Sequence, residues 1–178
     1  MAQSIAAGGT HSLYLCSDKT PMSCGFNLFG QLGNGTNTGS QVPVDVTGLT
    51  SGVIDISAGY DFTCAVTVTG GAKCWGVNNS GELGDGTTTQ RLTPVDVITL
   101  TTDVAQISAG NGYACALLIS TAGLKCWGGN NVGQLGDSSN TNRLTPVDVT
   151  GLTSGVADIS TGQQTACAVT TGGAALCW

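Results

Sequence analysis

Charge is what this sequence has least of. Only 9% of its 178 residues are charged, against about a quarter in ordinary globular chains. There is one histidine, His11, and one glutamate, Glu82. Five lysines and arginines stand against eleven acidic residues, a formal net charge of −6, and the basic residues never cluster. That balance repels a phosphate backbone, so nucleic acid is not expected as a partner. The chain has no apolar run long enough for a membrane-spanning helix, and membrane insertion is not expected. Its first residues, "MAQSIAAGG", have neither the basic nor the apolar region of a signal peptide. With a single histidine, a nucleophile–histidine unit has to use His11, and no base–orienter pair is evident around it. No histidine or second cysteine pair stands at zinc-ligand spacing. The "GDGT" of residues 84–87 is followed by no further carboxylate for calcium. The expectation is a non-enzymatic chain with no catalytic residue, no metal and no cofactor.

Glycine (28), cysteine (8) and repetition are abundant. "KCWGVNNSGELGDGT" at residues 73–87 returns as "KCWGGNNVGQLGDSS" at residues 125–139. Ile5, Ile56, Ile107 and Ile159 each precede a small-residue pair and a glycine, so the steps are 51, 51 and 52 residues. Pro43, Pro94 and Pro146 keep that period, as do Gly30, Gly81 and Gly133. One domain over residues 1–178 follows, with repeats at about 3–53, 54–104 and 105–156 and a partial one at 157–178. A period near fifty residues marks a solenoid, a propeller or an array of small units.

Each unit reads as β-structure. "TCAVTVTGGAKCW" at residues 63–75 alternates apolar and polar letters around a Gly-Gly turn, as a hairpin does. "SAGYDF" and "TPVDV" add extended pieces before and after it. The predicted fold is all-β: propeller blades of four antiparallel strands, about three and a half repeats long. Packing through both faces of every blade accounts for the scarcity of charge.

The cysteines support the hairpins. Cys64 and Cys74, Cys115 and Cys126, and Cys167 and Cys177 flank successive turns, and a turn near Thr69-Gly70 sets Cys64 opposite Cys74 on one face. Three disulfides are expected. The first repeat departs from this, since its alignment puts Leu13 and Ser23 at the bridging positions. Cys24 then falls opposite Ser12, so the fourth bridge expected here, Cys16–Cys24, requires a shifted turn at residues 17–20. Those two cysteines are also candidates for pairing elsewhere. Disulfides point to an extracellular or cell-surface setting.

Ile-x-Ala-Gly, a hairpin ending Trp-Gly-x-Asn, then Gly-Gln-Leu-Gly and Pro-Val, as in residues 107–110, 127–130, 133–136 and 146–147, resembles the regulator-of-chromosome-condensation repeat. "GGTHSL" at residues 8–13 is similar to a further phrase of that family. The resemblance implies a propeller, usually of seven blades, and a structural role for His11. Its nuclear exchange-factor and chromatin-binding members need a partner surface or basic tail not found here. Its secreted bacterial members, which bind other proteins, fit the cysteines better.

Specificity is expected where the repeats differ. The most variable window follows each Ala-Gly or Thr-Gly and reads Gly9-Thr10-His11, Tyr60-Asp61-Phe62, Asn111-Gly112-Tyr113 and Gln163-Gln164-Thr165. Tyr60, Asp61, Phe62, Asn111, Tyr113, Gln163 and Gln164 are therefore candidate contacts for a protein or glycan partner on one rim. The other reading of Phe62 and Tyr113 is that they cap the interface between blades. Three function classes stand open: an extracellular interaction module, a structural subunit that self-associates through unpaired blade edges, and an enzyme, for which residues are lacking. Writing the fourth repeat only to Trp178 adds to the expectation of self-association, by closing a two-chain ring or by stacking edges.

Overall fold

Each fifty-one-residue phrase folds into one small antiparallel sheet. The computed structural model describes residues 2–178, with side chains from Ser4 onward. The first sheet contains β1 (Ala2–Ala7), β2 (His11–Cys16), β3 (Pro21–Gly25) and β4 (Ser40–Asp45). The second contains β5 (Val53–Ala58), β6 (Phe62–Thr67), β7 (Ala72–Gly76) and β8 (Arg91–Asp96). The third runs through β9 (Val104–Ala109), β10 (Tyr113–Leu118), β11 (Leu124–Gly128) and β12 (Arg143–Asp148). A fourth, three-stranded sheet contains β13 (Val156–Thr161), β14 (Ala166–Thr170) and β15 (Ala175–Cys177). Strands pair in chain order within every sheet, and no helix occurs among the described residues. The first strands of neighbouring sheets touch one another, which places them nearest the axis of an all-β propeller arc.

The repeat bounds shift slightly. Val53, Val104 and Val156 open the first strand of their blades rather than closing the preceding repeat. "SAGYDF" is not a strand of its own, because it straddles the end of β5 and the turn into β6.

Cysteine register follows the hairpins. Cys64 lies opposite Cys74, Cys115 opposite Cys126 and Cys167 opposite Cys177. All three pairs are disulfides, with Cα atoms 4.0–4.1 Å apart, as expected for a non-hydrogen-bonded antiparallel pair. Cys16 and Cys24 are free. The fourth bridge is corrected by register: Cys24 faces Ser12, and Cys16 faces Ala2 across the other ladder. Three residue pairs, Leu13–Ser23, Tyr14–Met22 and Leu15–Pro21, separate them on the hairpin, too far for a bond.

Three repeated contacts weld blade to blade. The Trp75, Trp127 and Trp178 indole N–H groups donate to the carbonyls of Gln31, Glu82 and Gln134 in the preceding blade, at 2.9–3.0 Å. Gly9, Tyr60 and Asn111 N–H donate to the Gly59, Gly110 and Gly162 carbonyls of the following blade, at 3.2–3.3 Å. Backbones approach so closely there that a Cβ on Gly8, Gly59 or Gly110 lies 2.5–2.7 Å from the next carbonyl oxygen. That clearance is why the Ile-Ser-Ala-Gly phrase ends in glycine. Apolar side chains fill the remaining space, as Phe62, Leu83, Ile107 and Trp127 do between the second and third blades.

The asparagines and aspartates of the repeated Trp-Gly-x-Asn loops are a second frame. Asn27, Asn78 and Asn130 are fully buried. Their side-chain oxygens accept from Leu32, Leu83 and Leu135 N–H at 2.9–3.0 Å. Their amide groups donate across the same loop, Asn78 to the Thr87 and Thr89 carbonyls for instance. Asn78-Asn79-Ser80 fits the N-glycosylation pattern, but the buried, bonded Asn78 amide is closed to modification. Asp85 and Asp137 pair with Arg91 and Arg143 at 2.7 Å. Burial alone raises the Asp85 carboxyl, but hydrogen bonds from Thr87, Arg91 and Asn78 outweigh it and hold the group below its ordinary value.

The first blade replaces this Asp–Arg pair by Asn34 and Ser40 together. Asp85→Asn alone leaves Arg91 facing a neutral amide and is expected to lower stability by about 1–2 kcal/mol. Adding Arg91→Ser rebuilds the first blade's solution and recovers most of that loss. Denaturant unfolding of the two single variants and the double variant measures the coupling. Additive losses defeat the expectation.

Candidate functional site

The turns between the first and second strands of all four blades converge at one end of the arc. They surround a depression of about 340 Å³ whose walls include Tyr60, Asn111 and Gln163 with Gly9, Gly59 and Gly110. The ladder of blade-to-blade N–H···O bonds forms its floor. Backbone geometry is thus the same in every blade, while the side chains above it differ.

The predicted contact residues divide between surface and core. Tyr60 is 53% exposed, and its ring flanks Gly9 of the neighbouring blade. Asn111 is half-buried, and Gln163 and Gln164 are exposed. Asp61 is half-buried beside Gln31, whose amide donates to it at 3.2 Å. Burial pushes its carboxyl up. Phe62 and Tyr113, by contrast, have no exposed surface. Phe62 packs between the second and third blades and Tyr113 between the third and fourth. The Tyr113 hydroxyl donates to the Thr165 carbonyl at 2.7 Å, and burial pushes its phenol up to about 12. These two rings cap blade interfaces. Each opens its strand, so alternation turns it inward from the rim.

His11 begins β2 in the same column and is also buried. Its Nε2 lies 2.8 Å from the Thr63 hydroxyl, which donates to the Gln31 carbonyl at 2.9 Å. The hydroxyl proton is committed there, so Nε2 carries the imidazole proton and Nδ1 is left bare. Nδ1 is buried without a partner, and desolvation lowers the histidine from 6.5 to about 4. This is a structural histidine with no substrate-facing atom. Because the folded value is depressed, its contribution is complete above the unfolded value of 6.5. It is lost as pH falls from there to about 4, where both states are protonated. Stability is expected to drop by about 3 kcal/mol across that window. His11→Phe, which copies Phe62, removes that slope. Unfolding curves at stepped pH check it, and equal slopes in both proteins refute the assignment.

Charge is segregated. Lys73–Asp96 and Lys125–Asp148 pair at 2.6 Å along the outer strands, and Arg91 and Arg143 are held by Asp85 and Asp137. Asp45, Asp96 and Asp148 are thus strand-edge residues. Lys19, the remaining base, sits in the β2–β3 turn at the other end of the blade. The rim carries Asp61 and Glu82 with no lysine or arginine against either among the described residues. No group of three or more potential metal ligands gathers among the described residues. No helix there is long and apolar enough to cross a membrane.

Comparison with known proteins agrees with this geometry. The family described as "Regulator of chromosome condensation (RCC1) repeat" matches residues 23–66, 72–117 and 126–169. The probable E3 ubiquitin-protein ligase HERC4 of Rattus norvegicus is 34% identical over 149 residues, 83% of this chain and 14% of that protein. The E3 ubiquitin-protein ligase HERC2 of Homo sapiens is 31% identical over 134 residues, 75% of this chain and 3% of that protein. The chain therefore spans a small part of these relatives. Human WBSCR16 superposes with a TM-score of 0.87 at 20% identity, covering 99% of this chain and 46% of that one. Yeast RCC1 (Prp20), solved bound to Kap60, superposes with a TM-score of 0.81 at 25% identity, covering 98% of this chain and 42% of that one. With its repeat matched over most of its length and its blades superposing on these propellers, the chain belongs to the regulator of chromosome condensation repeat family.

Proposed function

We propose that this propeller is a non-enzymatic interaction module of an extracellular or cell-surface protein, and that the rim around the central depression receives a protein partner. The observation that carries the reading is the contrast between an invariant backbone floor and the drifting side chains above it, with Tyr60 standing 53% exposed at its edge. Exposed aromatics at such a place are typical anchors. The structure of the similar yeast RCC1 shows that protein bound to Kap60, and the structure of Prp20p from Saccharomyces cerevisiae is described with its binding to Gsp1p and histones. Three disulfides support the extracellular setting, since reducing compartments rarely keep them. The ligase activity named for the HERC relatives is not transferred, because the chain spans 14% or less of them.

A benzophenone amino acid at position 60, and a control at exposed Ile119 in the distant β10–β11 loop, tests the rim in the protein's own host. Light-dependent adducts from position 60 alone support the reading. Adducts that a glycosidase removes indicate a glycan instead, and equal yields from both positions refute a rim site.

A second reading, self-association, draws on apolar side chains that stand open on the outward faces of the first and fourth blades. Ile5 is 81% exposed, Val169 41% and Leu176 44%. Light scattering over a concentration series separates this reading from the first.

A further inference from the structure

The leucine loop of each blade, the Gly-Gln-Leu-Gly phrase, reaches beneath the rim turn of the next blade. Its second residue is Gln31, Glu82 or Gln134, and all three are buried. In each case a side-chain oxygen accepts from the N–H two residues earlier, at Phe29, Ser80 and Val132. The amide of Gln31 then donates to Asp61 on the following blade's turn. In the second blade this arrangement changes on both sides. Glu82 replaces the glutamine, and the residue aligned with Asp61 is Gly112.

Nothing replaces the lost contact. Glu82 is 5% exposed, and its Oε2 accepts from Ser80 N–H at 2.8 Å. Its Oε1 lies 3.8 Å from where a Cβ on Gly112 would stand, and among the described residues no other atom outside residues 111–113 comes within 4 Å of the position. A second side chain is missing alongside. Phe26 and Val77 follow the Trp-Gly position in the first two blades, and Gly129 follows it in the third. Gly129 borders the opening without widening it: its N–H donates to the Gly112 carbonyl at 2.7 Å. A Cβ there would stand 3.1 Å from that oxygen, 3.7 Å from Ser80 and 3.9 Å from the Gln134 amide nitrogen. Gly112 thus leaves an opening beside a buried carboxylate at the one blade junction where glutamate replaces glutamine. No side-chain donor or cation meets that carboxylate among the described residues. Burial pushes it up, and nearby N–H groups of Glu82, Ser80 and Gly81 offset this only in part. A charged group held in that way is stabilised by an incoming cation more than a solvated one is.

We propose that this notch is an anchor site for a lysine or arginine side chain of the rim's partner, its cationic head seated against Glu82 beside Gly112. The inference rests on the rim reading above and gives the partner its chemistry: a basic protein segment crossing the boundary between the second and third blades. Asp61, on the same rim and equally without a cation, extends the acidic track toward the first blade.

Nα-acetyl-arginine amide titrated into nitrogen-15-labelled protein is the probe, with Nα-acetyl-citrulline amide as its uncharged match. Saturable shifts are expected at the amides of Ser80, Gly112 and Gly129 for the arginine compound alone. Glu82→Gln is expected to weaken them at least ~tenfold. That variant copies Gln31 and Gln134 and so preserves the fold. Gly112→Asn, a residue type that tolerates the local φ of +81°, fills the notch and removes the shifts by a separate route. Shifts that are absent, unchanged in Glu82→Gln or matched by citrulline overturn the anchor. Such a failure leaves position-60 crosslinking intact if the rim reading holds, and lost crosslinking with normal arginine binding signals the opposite failure.

Discussion

Reduction of the three disulfides unfolds this domain. Each closes a loop of ten or eleven residues and contributes about 2–3 kcal/mol through the unfolded chain. Together they supply about 6–9 kcal/mol, comparable with the whole stability of many domains. The loss is expected in steps, because burial differs. Cys64, Cys74, Cys115 and Cys126 have no exposed surface, whereas Cys167 is half-buried and Cys177 exposed. Alkylation before reduction should mark Cys16 and Cys24, which are free. Mild reductant should add Cys167 and Cys177 while the other blades stay folded. The last four should react only on global unfolding. Mass spectrometry beside circular dichroism follows all three stages. A fully reduced protein that keeps its melting temperature refutes the expectation.

Phe62→Ser and Tyr113→Ser should each cost about 3–5 kcal/mol, the range for emptying a buried aromatic site. Each also leaves a hydroxyl in an apolar junction, and the second loses the bond to Thr165. Tyr60→Ser, two residues from Phe62, should stay within about 0.5 kcal/mol, as exposed substitutions usually do. The three proteins separate rim from core by denaturant unfolding alone. A stable Phe62→Ser variant places that ring outside the core and contradicts the packing described.

The frame of this protein is unusually legible because it is written several times. The Ile-Ser-Ala-Gly column set the period, and the spacing of Cys64 to Cys74 located the turn of the hairpin. Even the irregular first repeat was readable, since aligning Leu13 with Cys64 put Cys24 opposite Ser12. What stayed hidden depends on contacts between repeats. Phe62 shares a variable window with Tyr60, and its inward direction appears only when β6 is seen to start on it. Asn78 and Asn130 look like ordinary turn residues, yet they are buried braces whose partners lie five to eleven residues on. Glu82 was visible as the one glutamate. Its importance lies in what Gly112 omits, thirty residues downstream, and only packing brings those positions together.

The tryptophan contacts have a direction, and the direction has a consequence for how the chain is made. Each indole N–H reaches back to a carbonyl in the blade before it, never forward. During synthesis from the N-terminus, the receiving loop of a blade is therefore complete before the tryptophan that docks on it emerges. Because every blade is one contiguous stretch of chain, its hairpins close locally and quickly, and finished units can be added one at a time. The polarity of a single repeated hydrogen bond thus matches the order of translation. Assembly can advance like a ratchet, with each new blade meeting a surface already formed.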